Sequence, residues 1–163
     1  MSYYTGSSKS SVSLTRTNDT NAYLANDVVG AATGSTAALE FTNVVAAPGS
    51  RIIITSATLE IDSSAVISGQ TSYLLYLYDV TPPSALGDNA PWDIPAGDRA
   101  SFLGFVNLGT PVDLGSTLYV QTDGINKQLV VRGTSLFAYL VTVGAYTPVA
   151  SIVHVINLHS IVV

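Results

Sequence analysis

Short runs of strand-forming residues, separated by turn residues, are the feature that most constrains the fold of this chain. Residues 10–16, SSVSLTR, alternate polar and apolar side chains as a half-buried strand does. Val, Ile, Thr, Tyr and Phe dominate the further candidate strands, at 22–29, 38–45, 51–62, 71–80, 101–107, 117–121, 127–132, 135–143 and 151–162. No segment shows a sustained helical periodicity, so the sequence predicts an all-β protein.

The segments between these strands predict how the strands are arranged. They contain turn residues, as in APGSR, ISGQ, TPP, DLGS, TDGINK and YTPVAS. The spacing predicts about eight to ten strands in a two-sheet antiparallel sandwich, of jelly-roll or immunoglobulin-like type. The long strand 51–62 and the long connection 81–100 favour the jelly-roll, and an open barrel is the alternative. We expect one domain over residues 1–163, with a flexible Ser-rich N-terminal arm over residues 1–11.

The low charge of the chain narrows the choice of partners. Charged residues make up 10% of the sequence and apolar residues 47%, whereas an average globular domain has about 25% charged residues. A surface with so few charged side chains is easily desolvated, which suits a subunit that is permanently in contact with other subunits. The net charge of −5 and the absence of a basic cluster predict no nucleic-acid partner.

Membrane and thiol functions are not expected either. The longest apolar stretch, residues 151–163, is shorter than the roughly 20 residues needed to span a bilayer. The chain has no cysteine, so it can form no disulfide and no cysteine-based zinc site. The first residues, MSYYTGSSKSS, lack a signal-peptide pattern, so we expect synthesis in the cytosol, followed by retention there or release by a route other than secretion.

Three aspartates in the long connection raise the question of a metal site. Asp88, Asp93 and Asp98 are five residues apart, and Pro91 and Pro95 lie between them. Calcium loops usually place their acidic ligands two residues apart, whereas a loop aspartate commonly caps a turn. We therefore expect turn caps, with a one-turn helix after Asp98, and no metal ion or other cofactor.

The remaining polar residues do not form a recognisable catalytic pattern. His154 and His159 lie five apart in one predicted strand, so their side chains point to opposite faces. No serine stands in a G-x-S-x-G motif. Glu40, Glu60 and Asp62 could form a carboxylate pair, but no spacing singles them out. We expect that the protein is not an enzyme.

The aromatic residues are the best candidates for contacts. Tyr76 and Tyr78 share one face of a strand whose other face is also apolar, so the strand is covered on both sides. One interpretation is a central core strand, another is a face in a subunit contact, where tyrosine is enriched, and a sugar-binding platform is a third. Trp92 is expected to pin the loop to the sandwich or to be buried in a partner.

Three segments resemble small virion proteins of tailed phages. Residues 13–30, SLTRTNDTNAYLANDVVG, contain the D-T-x-A-Y-x-x-x-D-V-V stretch of those proteins. Residues 76–106 carry an aromatic strand ending in Asp, a Pro-containing turn, D-N-A-x-[FW], and D-x-A-x-[FWY]-[LI]-G. Residues 135–163 resemble their final hairpin, with AYTP at its turn. The segments occur in the same order and with matching spacing.

The resemblance implies a capsid decoration (cement) protein with a jelly-roll fold. Such proteins associate as dimers or trimers and bind the outside of the major capsid lattice. The expected partners are thus the major capsid protein of the same phage and further copies of this chain. The location would be the virion exterior, after synthesis in the bacterial cytoplasm.

Most of the residues expected to touch these partners lie in the N-terminal arm and in the loop 84–100, because the packing of the core places few constraints on loops and termini. They are Tyr3 and Tyr4 in the arm and Trp92, Asp93, Ile94 and Pro95 in the loop. Tyr76 and Tyr78 in the strand 71–80 are further candidates. The alternatives are a phage tail, baseplate or fibre component and a carbohydrate-binding jelly-roll module. A fibre protein would usually show sequence repeats, and none is found here.

Overall fold

Ten β-strands form the part of the protein that the computed structural model describes, residues 6–31 and 36–163. No helix occurs in these residues, so the one-turn helix expected after Asp98 is a hydrogen-bonded turn instead. The strands are β1 (Ser7–Thr15), β2 (Val28–Val29), β3 (Leu39–Phe41), β4 (Arg51–Ile61), β5 (Tyr73–Tyr78), β6 (Phe102–Gly109), β7 (Val112–Asp113), β8 (Leu118–Val130), β9 (Leu136–Thr142) and β10 (Val153–Val162).

The strands form two antiparallel sheets of five strands each. The first sheet has the order β1-β10-β4-β8-β7. The second has the order β2-β9-β5-β6, and β3 also pairs with β9. The jumps between sheets along the chain are those of a jelly-roll sandwich, which confirms the predicted fold class.

Alternation along the strands places the main core between the sheets. In β4, Ile52, Ile54, Leu59 and Ile61 are fully buried, while Arg51 at its start is exposed. Burying such aliphatic side chains is the principal favourable contribution to folding, about 1.5–3 kcal/mol for each. The same core receives inward side chains from the second sheet, among them Tyr73, Leu75, Leu77, Val106, Leu108, Leu136 and Leu140.

The second sheet has a further apolar layer on its outer face. Tyr76, Tyr78, Tyr139 and Val141 point away from the main core and are nonetheless buried. Strand β5 is therefore apolar on both faces because both faces are covered, as its sequence predicts. The cover is provided by the long connection between β5 and β6.

Two expectations are corrected by the strand pairing. The segments 117–121 and 127–132 were expected as separate strands around a turn, but they belong to the single strand β8. Ile54 pairs with Lys127 and Ser56 pairs with Asp123, so three residues of β8 oppose Thr55 in a β-bulge. Gly124 within it has a φ of 67°. The TDGINK pattern therefore marks a bulge, which needs the same backbone freedom as a turn.

Part of the segment expected as a flexible arm, residues 7–11, is a strand. Strand β1 begins at Ser7 and pairs with β10 along its length, with Ser11 opposite Asn157. The Ser11 hydroxyl donates a 2.6 Å hydrogen bond to Asn157 Oδ1. Residues 7–11 are thus part of the first sheet, although all five are polar and give no alternation that could have predicted a strand. Residues 1–5 lie outside the described residues.

No helix among the described residues is long and apolar enough to cross a bilayer.

A substitution in the main core tests this architecture. Leu59 is fully buried in β4, so Leu59→Ala is expected to lower the free energy of unfolding by about 2–5 kcal/mol through lost apolar contacts and a cavity. Leu114→Ala is the matched control, because Leu114 is 64% exposed and should change stability by less than about 0.5 kcal/mol. Urea unfolding of both variants measures the difference, and equal effects would contradict the assigned core.

Candidate functional site

The connection between β5 and β6, residues 79–101, lies over the outer face of the second sheet and is called the covering loop. Its backbone is tied to the residues that precede and form β2. The Val28 amide donates to the Ala90 carbonyl at 2.8 Å, and the Trp92 amide donates to the Asn26 carbonyl at 2.8 Å. The Asn89 amide returns a 3.0 Å bond to the Val28 carbonyl. The covering loop is therefore held by strand-like hydrogen bonds as well as by its side chains.

Trp92 pins the covering loop to the sheet. Its ring stacks on Tyr76 at a centroid distance of 3.7 Å and an interplanar angle of 13°. Phe102 packs against the same tryptophan at 5.9 Å. Such stacked aromatic pairs contribute roughly 0.5–1.5 kcal/mol beyond the area they bury. Of the two roles expected for Trp92, the structure supports the first, a contact within the chain.

The burial of Tyr76 and Tyr78 corrects their assignment as partner contacts. Tyr78 has no exposed surface, and Tyr76 is covered by Trp92. Burial raises the pKa of Tyr78 to about 12. Both tyrosines belong to the apolar layer beneath the loop. The loop therefore covers the outer face of β5, which is apolar on both faces.

The outer surface of the covering loop presents the other predicted contact residues. Asp93 is exposed, and Ile94 and Pro95 are half-buried. Asp93 Oδ1 accepts a 2.7 Å bond from the amide of the next residue, Ile94. Together with the exposed Arg99 these residues form a continuous stretch of loop surface, here called the loop crest (residues 93–100). The other two candidates, Tyr3 and Tyr4, lie outside the described residues.

Asp88 is the inner anchor of the covering loop. Its Oδ2 accepts bonds from Arg16 Nη2 and Thr17 Oγ1, both at 3.1 Å. Its Oδ1 accepts a 2.6 Å bond from the Tyr23 hydroxyl and a 2.8 Å bond from the Gly30 amide. The aspartate therefore has four partners, all of them on the segment that follows β1.

Gly30 is required by this close approach. A Cβ atom at that position would lie 3.0 Å from the Asp88 amide nitrogen and 2.6 Å from Ala37 Cβ. Both distances are too short for a real side chain, so only glycine lets its amide reach the carboxylate.

Arg16 completes a buried ion pair with Asp88. The side chains of both residues are almost fully buried, and Arg16 Nε donates a 2.5 Å bond to the Tyr23 hydroxyl. Arg16 Nη2 also lies 2.9 Å from the carboxylate of Asp19. A buried pair of charges is tolerated when its hydrogen bonds are satisfied, which is the case here.

A second group of tyrosines extends this network across the sandwich. Tyr23 forms a bridge with Tyr146 in the chain segment before β10, and their rings lie 5.4 Å apart. The Tyr146 and Tyr73 hydroxyls are 2.7 Å apart, and Gln70 Nε2 donates a 2.8 Å bond to the Tyr73 hydroxyl. The set Arg16, Tyr23, Asp88, Tyr146, Tyr73 and Gln70 is here called the buried polar network.

The electrostatics of the buried polar network are those of a structural element. Burial, followed by the hydrogen bond to Asp88, raises the pKa of Tyr23 well above its ordinary value. Burial and the neighbouring Tyr73 do the same for the pKa of Tyr146. Both phenols therefore stay protonated at ordinary pH, and each is engaged in a hydrogen bond within the chain. The network offers no exposed nucleophile or base to a substrate.

His154 lies beside this network, on the opposite face of β10 from His159. It is fully buried near Tyr73, with ring centroids 6.4 Å apart. Burial, and then the positive charge of Arg16, lower the pKa of His154 to about 4. His159 is half-buried on the outer face. The two histidines face opposite ways, as their spacing predicts.

The three loop aspartates therefore have three different roles. Asp88 binds across the chain in place of capping its own turn, which corrects the expectation for it. Asp98 Oδ1 accepts bonds from the amide and hydroxyl of Ser84, both at 3.2 Å, and Asp93 accepts a bond only from the amide of the next residue, Ile94. No cluster of three or more His, Cys, Asp or Glu side chains suited to a metal ion occurs among residues 6–31 and 36–163.

Sequence reasoning did not identify Arg16, Tyr23 and Tyr146 as site residues. A signal for Arg16 was present, since it is a single cation at the end of a strand whose alternate residues point into the core. Its partner Asp88 is 72 residues away in the chain, and no local pattern could connect the two.

Comparisons with known proteins give only distant structural similarities. No protein-family model matches the chain, and no curated protein matches it. The solved capsid of Ralstonia phage GP4 is 13% identical with a TM-score of 0.41, over 96% of this chain and 83% of that chain. The cyanophage Pam1 capsid asymmetric unit is 14% identical with a TM-score of 0.40, over 100% and 89%. The empty capsid of Triatoma virus is 11% identical with a TM-score of 0.35, over 97% and 87%.

The inner anchor of the covering loop can be tested by substitution. Asp88→Ala leaves the buried Arg16 without its counter-charge, so it is expected to lower the free energy of unfolding by about 3–5 kcal/mol. Asp93→Ala removes an exposed carboxylate from the same loop and should cost less than about 1 kcal/mol. Chemical unfolding measures both, and a small effect of Asp88→Ala would mean that the ion pair does not hold the loop.

The buried histidine predicts a dependence of stability on pH. Because the pKa of His154 is about 4 in the folded chain and about 6.5 in the unfolded chain, the unfolded state binds more protons between these values. Protonation of His154 in the unfolded chain should therefore lower the free energy of unfolding by about 3 kcal/mol as the pH drops from about 6.5 to about 4.

A variant without this titration isolates the effect. In His154→Gln the corresponding part of the acid destabilisation should vanish, whereas His159→Gln should keep the wild-type pH dependence. Urea unfolding at a series of pH values between these limits makes the comparison. Parallel curves for the wild type and His154→Gln would rule out the assignment.

Proposed function

We propose that the protein is a structural component of a tailed-phage virion, a capsid decoration (cement) protein. In this role it binds the outside of the major capsid lattice and bridges capsid subunits. It would act without catalysis or a cofactor, as a dimer or trimer on the capsid exterior after synthesis in the bacterial cytoplasm.

The proposal rests on one observation: the three segments that resemble small phage virion proteins contact one another in the folded chain. Arg16 and Tyr23 belong to the first segment that resembles small phage virion proteins, Asp88 to the second and Tyr146 to the third. These four residues contact one another in the buried polar network. Segments far apart in the chain thus supply one interlocked framework, which is what a resemblance rooted in a shared structure should produce.

Other residues of the same patterns have structural roles at the covering loop. In the D-N-A-x-[FW] pattern, Asn89 Nδ2 donates a 2.8 Å bond to the Ala22 carbonyl, and Trp92 stacks on Tyr76. In the pattern that follows, Asp98 binds Ser84 and Phe102 packs in the apolar layer. The resemblance therefore follows the residues that shape and fasten the covering loop, which favours this loop as the element adapted to a common partner.

The loop crest is the surface that we assign to the capsid contact. It stands on a rigid base, so little conformational entropy is lost when it is bound. Asp93 and Arg99 are exposed on it, next to half-buried Ile94 and Pro95, a mixture typical of protein interfaces. A copy that contacts two capsid subunits gains strength from the combined interface area and from multivalency.

Direct binding tests the proposal. Purified protein is mixed with expanded capsids of the encoding phage that lack it, and the particles are imaged by cryo-electron microscopy. We expect regular density on the outer capsid lattice at positions between major capsid subunits. Binding to tails or baseplates only, with bare capsids, would replace the proposal with the tail-component alternative, and no binding to any particle would overturn both.

A pair of charge reversals tests the assigned surface. Arg99→Glu on the loop crest is expected to weaken capsid binding by about tenfold or more, because it reverses a charge at the contact. Arg51→Glu is the matched control, another exposed arginine, on the first sheet, and should leave binding unchanged. The opposite pattern would place the capsid contact on the first sheet.

A further inference from the structure

A cleft at one end of the sandwich carries an arrangement that the proposed function does not use. It has a volume of about 380 Å³ and lies where β5 ends and β9 begins. Pockets for small molecules usually measure about 300–1,000 Å³. Its lining residues are Asp79, Val80, Thr81, Arg132, Gly133, Thr134, Ser135 and Phe137.

The guanidinium of Arg132 lies beside a largely buried carboxylate in this cleft. Its Nε lies 3.0 Å from Asp79 Oδ2, and the arginine side chain is 58% exposed. The second oxygen, Asp79 Oδ1, is buried and has no hydrogen-bond partner among the described residues. Arg132 is therefore the cation that balances the charge of this carboxylate.

Arg132 differs in this ion pair from the other exposed and half-buried cations. Within the described ranges, Lys9, Arg51, Arg99 and Lys127 form no ion pair with a carboxylate. Because Nε is the nitrogen of Arg132 that lies nearest Asp79, the two terminal nitrogens can donate in parallel to two acceptor atoms of a ligand.

The rest of the cleft supplies an apolar surface and small hydroxyls. Phe137 is half-buried and borders the cleft with part of its ring. Thr81, Thr134 and Ser135 contribute hydroxyl groups. A Cβ placed on Gly133 would meet no atom within 4 Å, so the backbone there is open to an approaching molecule.

We propose that this cleft binds a neutral saccharide ring through Arg132 and Phe137. Two neighbouring hydroxyl oxygens of a pyranose accept the two parallel N–H donors, and its C–H face packs on the aromatic ring. A neutral ligand fits better than an anion, because Asp79 already balances the charge of Arg132 and the chain has a net charge of −5. The site is independent of the loop crest.

The test is a titration of the ¹⁵N-labelled full-length protein followed by NMR. The probes are methyl α-D-glucopyranoside, methyl α-D-mannopyranoside, methyl β-D-galactopyranoside and N-acetyl-D-glucosamine. At least one should shift the amide signals of Thr81, Gly133 and Thr134 with saturation at millimolar concentrations. Inorganic phosphate and methyl α-D-galacturonate form the anionic arms and should bind more weakly.

Matched arginine variants separate a bidentate contact from simple charge attraction. Arg132→Lys keeps the charge but loses the paired donors, so saccharide affinity should fall by about tenfold. Arg99→Lys should leave it unchanged, and Phe137→Leu should weaken it severalfold. The proposal is overturned if no neutral probe shifts these amides, if only the anions bind, or if Arg132→Lys binds saccharide as well as the wild type. Capsid binding of Arg132→Lys should match the wild type, so failure here would leave the proposed function intact.

Discussion

The ion pair between Arg16 and Asp88 is the contact on which the rest of the structure depends. It joins the end of β1 to the covering loop, two parts of the chain that are 72 residues apart. Because both side chains are buried, each needs the other and the surrounding hydrogen bonds to offset the loss of hydration. Tyr23, Thr17 and the Gly30 amide supply those bonds, so the covering loop has one fixed position over the second sheet.

This fixed position explains how an apolar sheet face can exist in a chain with little charge. Tyr76, Tyr78 and Tyr139 would form an exposed aromatic patch without the covering loop, and such patches promote association. Trp92 closes over them, while the outer side of the same loop carries Asp93 and Arg99. One segment thus protects the sheet and presents the surface that we assign to the partner.

Local patterns predicted the fold well and the site only in part. The alternation in β4 and the two-sided apolar pattern of β5 are properties of neighbouring residues, so they could be predicted from the sequence. The bulge in β8 was mistaken for a turn, since Gly124 serves either geometry. The partners of Asp88 could not be predicted, because they depend on the packing of distant segments. Trp92 was expected either to pin the loop or to be buried in a partner, and the sequence could not decide between these roles because its stacking on Tyr76 depends on how the loop folds back.

The covering loop is an integral part of the sandwich, held by the buried polar network and the pairing with β2. Amide hydrogen exchange of the native protein, read residue by residue by NMR, tests this attachment most directly. The amides of Asn89 and Trp92, which bond to Val28 and Asn26, should be protected as strongly as those of the central strand β5. Rapid exchange at both positions while β5 stays protected would contradict the account, since the loop would then open without the sandwich unfolding.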